Sequence, residues 1–356
     1  MIGDASEGSK YITTTRKRIR PEGVKRSRRV EPGDFLLTNS MSFGKPYILA
    51  TSGCIHDGWL VLSPRRQDVD TDFLYHLLGS RAIYSEFERR ASGATVKNLN
   101  IELVKGVQIA LPPLPEQRRI AAILDKADAL RAKRRAALAQ LDTLTQAIFL
   151  DMFGDSTANR KGWPVQPLQE VVKKGTVVTY GIVQAGEEVP GGVPYIRTGD
   201  IVDGRILTAG LRHTAPAIAT KFRRSRVEAG DIVMSIRATV GTTALVPGEL
   251  DGANLTQGTG RISPGDRTDR LYLLNFLRTA GTQQWIALQI KGATFLEITL
   301  TRLRELPVAV PPIELQCEFA RRATVVEKLG AAQLASLAEL DALFASLQDR
   351  AFRGEL

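Results

Sequence analysis

The feature that most constrains this chain is an internal repeat. Glu31-Pro-Gly-Asp34-Phe-Leu-Leu returns as Glu228-Ala-Gly-Asp231-Ile-Val-Met, and Gly44 returns as Gly241, both at an offset of 197 residues. Further along the offset is 199. There Gly93-Ala94-Thr95 matches Gly292-Ala293-Thr294, Leu111-Pro112-Pro113 matches Val310-Pro311-Pro312, and Leu141-Asp142-Thr143-Leu144 matches Leu340-Asp341-Ala342-Leu343. A two-residue difference in one loop accounts for the change. Blocks kept in register at a fixed period mark a tandem duplication, so one copy can adopt only a fold that serves for both. A chain of 356 residues has room for two domains.

Each copy reads as α+β. Short apolar or alternating runs at 34–37, 47–50, 59–62, 231–236 and 242–246 are separated by Gly, Pro, Asp and Asn, the pattern of strands and turns. Between them, 73–90 and 271–288 carry apolar residues at helical spacing. Past Pro115 the pattern changes. Ile120, Ile123, Ala127, Leu130, Arg134, Ala137, Leu141, Leu144 and Ile148 step alternately by three and four, a coiled-coil seam that Gly154 stops. Adding 199 gives a weaker seam, Phe319, Arg322, Val326, Leu329, Gln333, Ser336, Leu340, Leu343 and Leu347, running to Gly354.

The two long helices are expected to pack on each other, the alternative being that each packs on its own module. If a pseudo-twofold axis relates the copies, the helices run antiparallel. Arg134 and Gln333, the polar break in each seam, then meet and fix the register, although simple solvent exposure accounts for them equally well. A helix of about 38 residues is roughly 57 Å long, more than the roughly 34 Å of one turn of B-DNA. The expected architecture is a ruler carrying two reading heads.

The charge points to a polyanionic partner. Lys and Arg number 48 against 38 Asp and Glu, a formal charge of +10. Arg16, Lys17, Arg18, Arg20, Lys25, Arg26, Arg28 and Arg29 precede the first Gly-Asp strand; Lys221, Arg223, Arg224 and Arg226 precede the second. A basic run in the same place in both copies suits phosphate contacts, while for either run alone solvated charge is an equal reading. Candidates for reading base edges are polar residues after the duplicated strands: Asn39, Ser40 and Ser42 in the first copy, and Arg237, Thr239 and Thr242 in the second, with Asn254 and Gln257 nearby. Each of these also suits a turn.

Catalytic signatures are missing. No lysine has Asp or Glu two positions before it, as a common Mg-dependent nuclease site requires. Gly44-Lys45 is followed by Pro46, so there is no phosphate-binding loop. The Pro-Pro pairs read Leu-Pro-Pro-Leu and Val-Pro-Pro-Ile, not the Asn/Asp-Pro-Pro-aromatic tetrapeptide of amino-methyltransferases. Asp200 and Asp203 sit in a turn composition. Cys54 and Cys317 have no CxxC partner and read as buried small hydrophobes, and His56, His76 and His213 are not spaced as metal ligands. No run is long and apolar enough to span a membrane, and the N-terminus lacks the apolar stretch of a signal peptide, so a cytoplasmic, non-catalytic binder with no cofactor or metal of its own is expected.

Residues 111–130, opening Leu111-Pro-Pro-Leu-Pro-Glu-Gln-Arg-Arg119, resemble the junction at which a target recognition domain enters the spacer helix in specificity (S) subunits of type I restriction-modification systems. Leu150-Asp-Met-Phe-Gly154 and Ala351-Phe-Arg-Gly354 resemble that family's helix ends. The resemblance implies target recognition domain 1 at 1–111, spacer helix 1 at 112–156, target recognition domain 2 at 157–310 and spacer helix 2 at 311–356. It implies an α+β fold of two tandem pseudo-symmetric recognition domains separated by a long antiparallel two-helix coiled coil. The domains would each read half of a bipartite double-stranded DNA target. Two methyltransferase subunits would dock on the helices, using S-adenosylmethionine to methylate a flipped adenine, and restriction/motor subunits would use ATP and Mg. One departure stands out. Residues 163–194, ahead of Tyr195-Ile196, have no equivalent ahead of Tyr11-Ile12, so the expectation is either a first domain shortened at its start, with half-site recognition weakened or lost, or a true start that lies upstream. The competing readings are a single-chain DNA methyltransferase or nuclease, opposed by the missing motifs, and a stand-alone DNA-binding coiled-coil protein.

Overall fold

The computed structural model describes residues 9–39, 44–63, 68–90, 99–155, 158–292 and 296–356, apart from the side chain of Asp142. Ser40, Ser42, Gly93, Ala94, Thr95, Ala293 and Thr294 lie outside the described residues. The chain divides into two compact units. Met1–Leu138 joins Ala332–Leu356 in the first, and Ala139–Ala331 forms the second.

In both units the repeat folds the same way, and the reason is local. Asp34 accepts a hydrogen bond from the Glu31 amide at 2.8 Å, and Asp231 accepts one from Glu228 at the same distance. The glycine of each turn, Gly33 (φ 95°) and Gly230 (φ 91°), takes the left-handed conformation that side chains disfavour. These turns start the strands Phe35–Thr38 and Ile232–Ser235. In the first unit Phe35–Thr38 pairs antiparallel with Pro46–Leu49 and Trp59–Leu62. In the second, Ile232–Ser235 pairs antiparallel with Thr243–Leu245 and Thr259–Ile262.

The fourth strand differs between the units. Tyr11–Ile12 joins Pro46–Leu49 in parallel, whereas Thr179–Tyr180 joins Thr259–Ile262 on the other edge. Tyr195 and Ile196 lie instead in Val193–Ile196, within a three-stranded sheet between Arg212–Thr214 and Asn254–Leu255. The likeness of Tyr11-Ile12 to Tyr195-Ile196 is therefore one of sequence and not of place. Their pairing depends on which edge is free, and two residues cannot specify that.

Each expected helix after the sheet is two helices. Thr71–Leu78 and Arg81–Arg90 part at Gly79, and Arg270–Arg278 and Ala280–Gln289 part at Thr279, whose hydroxyl accepts from the Thr282 amide. A hydroxyl that caps a new helix competes with continuation of the old one. Asp70 and Asp269 cap the helices that follow them by accepting two backbone amides each.

The long helices are Leu114–Phe153 and Ile313–Arg353. A buried glutamine locks each to its own module. Gln117 accepts from the Asp70 amide (2.8 Å) and donates to the carbonyls of Asp68 (2.9 Å) and Pro112 (2.8 Å). Gln316 accepts from Asp269 (2.8 Å) and donates to Arg267 (3.2 Å) and Pro311 (2.7 Å). Two copies of one three-bond clamp, 199 residues apart, are the structural counterpart of the sequence repeat.

In the first unit, Arg131 pairs with Asp341 at 2.6 Å and Arg134 donates to the Gln333 side chain, so partner numbers fall as helix numbers rise. Ile120, Leu124 and Ala127 are buried here, as is Ala351. In the second unit, Phe149 and Phe153 meet Tyr272 and Phe319 in an aromatic core with ring centroids 4.8–5.7 Å apart.

The seam needs correction in its phase. Ile120, Ala127, Arg134, Leu141 and Ile148 are buried or half-buried, but Leu130, Leu144, Leu329 and Leu343 are 43–50% exposed. The side chains turned inward between them are the buried Leu124 with the half-buried Arg131 and Leu138, and, on the other helix, the buried Ala323 with the half-buried Leu337 and Phe344; Arg322 is exposed while Val326, Leu340 and Leu347 are half-buried. A three-four alternation has two phases that share every seventh position, and leucines occupy both, so apolar spacing alone does not choose. Arg131 decides it by laying its guanidinium over the Phe344 ring, 4.3 Å from the centroid, with Asp341 and Asp128 as partners. Cys54 is half-buried and Cys317 exposed, not the buried hydrophobes expected.

Candidate nucleic-acid interface

In the second unit the basic run 221–226 closes the short helix Pro216–Lys221 and forms the 3-10 turn Arg223–Ser225. Lys221, Arg223, Arg224 and Arg226 are exposed and have no acidic partner within 4 Å among the described residues. What holds this loop is Asn254. Its buried amide accepts from the Ser225 hydroxyl (2.7 Å) and the Leu255 amide (2.9 Å) and donates to the Ala219 carbonyl (3.2 Å). The Asn254 side chain is thus committed inside the domain and presents four cations without facing solvent. Gly252 makes room for Arg226: a Cβ there would stand 2.8 Å from its guanidinium.

The nearby carboxylates are neutralised from within. Arg261, buried, pairs with Asp231 at 2.6 Å and with Glu228 at 3.3 Å, and Lys173 pairs with Glu228 at 2.9 Å. The Lys173 hydrogen bond holds the Glu228 carboxyl below its usual range, against a smaller opposing effect of burial. The sign of the surface around 221–226 is therefore set by its own side chains.

The second group of candidates lies beyond the far end of the strand Ile232–Ser235, whose four residues span about 13 Å at roughly 3.3 Å per residue. Arg237 donates from Nε to Glu297 at 2.8 Å, and both side chains are more than a third exposed. Thr239 shares a hydrogen bond with the Ser235 hydroxyl (3.2 Å), and Thr242 donates to the Thr239 carbonyl (2.9 Å). Gln283 braces the turn by donating to the Gly241 carbonyl at 3.1 Å. Gln257 is half-buried, its backbone amide bonded to Ile182 at 2.9 Å, and Gly258 beside it lies under Arg237. The structure thus brings Arg237, Gln257 and the two threonines to one end of the sheet and the cationic run to the other.

In the first unit Asn39 ends its strand with its amide donating to the Asp57 carbonyl, and its own backbone bonds to Gly58 (3.1 Å) and Leu99 (2.8 Å). The N-terminal basic run includes a short helix, Pro21–Val24, and the strand Arg28–Val30, which pairs with Gly53–Ile55. Arg29 is neutralised by Glu31 at 2.7 Å. Sequence spacing did not signal a polar cluster here. Lys10 binds Asp125 (2.8 Å) and Asp72 (2.7 Å), and buried His76 meets Asp125 at 2.7 Å. Burial pulls the His76 pKa down, against its bond to Asp125. Burial would raise the Asp125 carboxyl, but Lys10 and His76 outweigh it and hold it low. Burial also pushes the neighbouring Tyr75 hydroxyl up to about 12.

Among the described residues no group of three or more His, Cys, Asp and Glu could hold a metal, and no helix is long and apolar enough to cross a membrane.

A family model, the type I restriction modification DNA specificity domain, matches residues 7–140 and 160–337. The chain is 28% identical over 317 residues to the type I restriction enzyme EcoBI specificity subunit of Escherichia coli, covering 80% of this chain and 65% of that protein. It is 25% identical over 285 residues to the putative MjaX specificity subunit of Methanocaldococcus jannaschii, covering 76% and 64%. The matched part thus spans slightly less than two thirds of either relative. The fold is similar to a chain solved in work on complex assembly and conformational transition of the type I R-M system (TM-score 0.56, 22% identity, 92% of this chain and 84% of that one). It is also similar to the type I restriction-modification S subunit from M. genitalium (TM-score 0.50, 16% identity, 91% and 83%).

Proposed function

The chain belongs to the type I restriction modification DNA specificity domain family, and on that premise we propose that it is the non-catalytic subunit that gives a restriction-modification complex its DNA sequence specificity. The observation that carries this reading is the exposed run 221–226, four cations without acidic partners among the described residues, on a loop pinned from behind by Asn254. Such a surface suits phosphate oxygens, which position a protein on duplex DNA without reading sequence. Arg237, Thr239, Thr242 and Gln257 supply side chains that suit base edges, with Asn39, Ser40 and Ser42 as their counterparts in the first domain.

In this reading the recognition domains are 1–111 and 157–310, and the spacers are 112–156 and 311–356. The long helices form an antiparallel coiled coil between pseudo-symmetric domains, and their length sets the gap in a bipartite target. Two methyltransferase subunits dock on the helices and supply S-adenosylmethionine, and restriction/motor subunits supply ATP and Mg chemistry. The complex acts on DNA in the cytoplasm.

Substituting Arg223, Arg224 and Arg226 by alanine together tests the interface. Neutralising three phosphate contacts should lower the slope of log affinity against log salt by about 2.7, at roughly 0.9 per contact. A fluorescent duplex titrated at several salt concentrations reads this directly. Wild-type affinity and slope in the variant would remove these residues from the DNA surface.

A further inference from the structure

We infer that Arg237 reads a guanine in the half-site of the second recognition domain, and that Glu297 is the positioning residue that aims it. The inference rests on the DNA-binding reading above and names a base for one of its side chains.

Arg237 differs from Arg197, Arg261, Arg278 and Arg304 in how its guanidinium is used. Arg197 spends Nε and Nη2 on Asp200, Arg261 is buried on Asp231, Arg278 binds the carbonyls of Gly204 and Thr243, and Arg304 binds Val178. Arg237 spends only Nε, on Glu297 at 2.8 Å, and its two Nη groups carry no hydrogen bond among the described residues. An exposed guanidinium held at Nε leaves that pair of donors facing outward. A guanine presents two acceptors, N7 and O6, side by side in the major groove, and a guanidinium fork meets both. Adenine replaces O6 with an amino donor, which would oppose one Nη group.

The backbone makes the aim fixed. Arg237 and Glu297 face each other across an antiparallel bridge. Both flanks of Arg237 are tied to the same segment: the Ala238 amide donates to Leu296 (3.0 Å), and the Ile298 amide donates to Ile236 (3.0 Å). Glu297 is bound in turn to Lys291 through two backbone hydrogen bonds of 2.9 and 3.1 Å. Ala238 adopts φ +58°, a conformation that non-glycine residues rarely hold unless their surroundings impose it. Gly258 completes the support. A Cβ at that position would stand 3.0 Å from the Thr198 side chain and 3.9 Å from the Cβ of Arg237, so the chain beside Gln257 passes close to Arg237. A reading side chain set on a cross-linked turn, with Glu297 holding its Nε, is pre-organised and loses little freedom on binding.

The test is selection of bound sequences from a random duplex library by the full-length chain, comparing wild type with R237K, E297A and E297Q. Wild type should enrich a motif containing guanine at one position. R237K keeps the charge but loses the fork, so it should still bind duplex while guanine preference at that position alone falls by roughly 5- to 150-fold. E297A should weaken the same preference, E297Q should restore part of it because its amide oxygen still accepts from Nε, and E297A should add nothing in the R237K background. If R237K enriches the wild-type motif unchanged, Arg237 does not read a base, while the DNA-binding function stands. If R237K loses the guanine and E297A does not, the role of Glu297 is wrong. If wild type enriches no sequence, the proposed function fails along with this inference.

Discussion

Gln117 and Gln316 make the same three hydrogen bonds at matching places, so they offer a paired perturbation with an internal control. Consider Gln316→Ala. The amide is fully buried, and its loss removes one acceptor and two donor contacts. At about 0.5–1.5 kcal/mol net for each bond, the loss is about 1.5–4.5 kcal/mol, and the upper half of that range is expected because the buried Pro311 carbonyl is left without this partner. The same arithmetic applies to Gln117→Ala. Native-state hydrogen exchange resolves the two sites within one chain. Gln316→Ala should lower protection of the helix Arg270–Arg278 and of the start of the second long helix; Gln117→Ala should do so for Thr71–Leu78 and the start of the first. The two losses should agree within about 1 kcal/mol, given the context dependence of single hydrogen bonds. Wild-type protection in both variants would refute the claim that these clamps join module to helix.

Other outcomes follow from particular contacts. Asn254→Ala should weaken duplex binding by loosening 221–226 although the side chain faces inward; an unchanged affinity with an unchanged salt slope would show that the loop holds its shape alone. The first unit should lose stability as pH falls below about 6.5. A histidine whose pKa is depressed on folding takes up its proton more readily when unfolded, so its contribution is present above the unfolded value of 6.5 and lost below it. Asp125, also depressed, adds a second loss as pH falls below its unfolded value of 3.8. Replacing His76 with Asn, the residue at the matching position 275, should flatten the first of these steps in a pH series of urea titrations.

Much of the fold was legible because it is encoded locally. The Gly-Asp openings of the strands at Asp34 and Asp231 and the helix stops at Gly154 and Gly354 each need only a few adjacent residues. The phase of the helix seam was not, because Leu130 and Leu124 serve the pattern equally and the choice falls to Arg131 on Phe344, more than 200 positions away. The pairing of Tyr11–Ile12 was not legible for a similar reason, since strand partners are chosen by the sheet and not by the strand. Within the candidate interface the exposed cations were visible as a run. Asn254 was read as facing DNA because an asparagine after a turn carries no mark of burial, and Glu297, 60 residues from Arg237, gave no signal at all.

The central claim is tested most directly by mapping N6-methyladenine across the genome of a host that expresses this chain with a methyltransferase partner, against the same host without the chain. A specificity subunit with two recognition domains predicts a bipartite motif with a fixed gap that appears only when the chain is present. Methylation that does not depend on the chain, or that falls on one continuous motif, would contradict it.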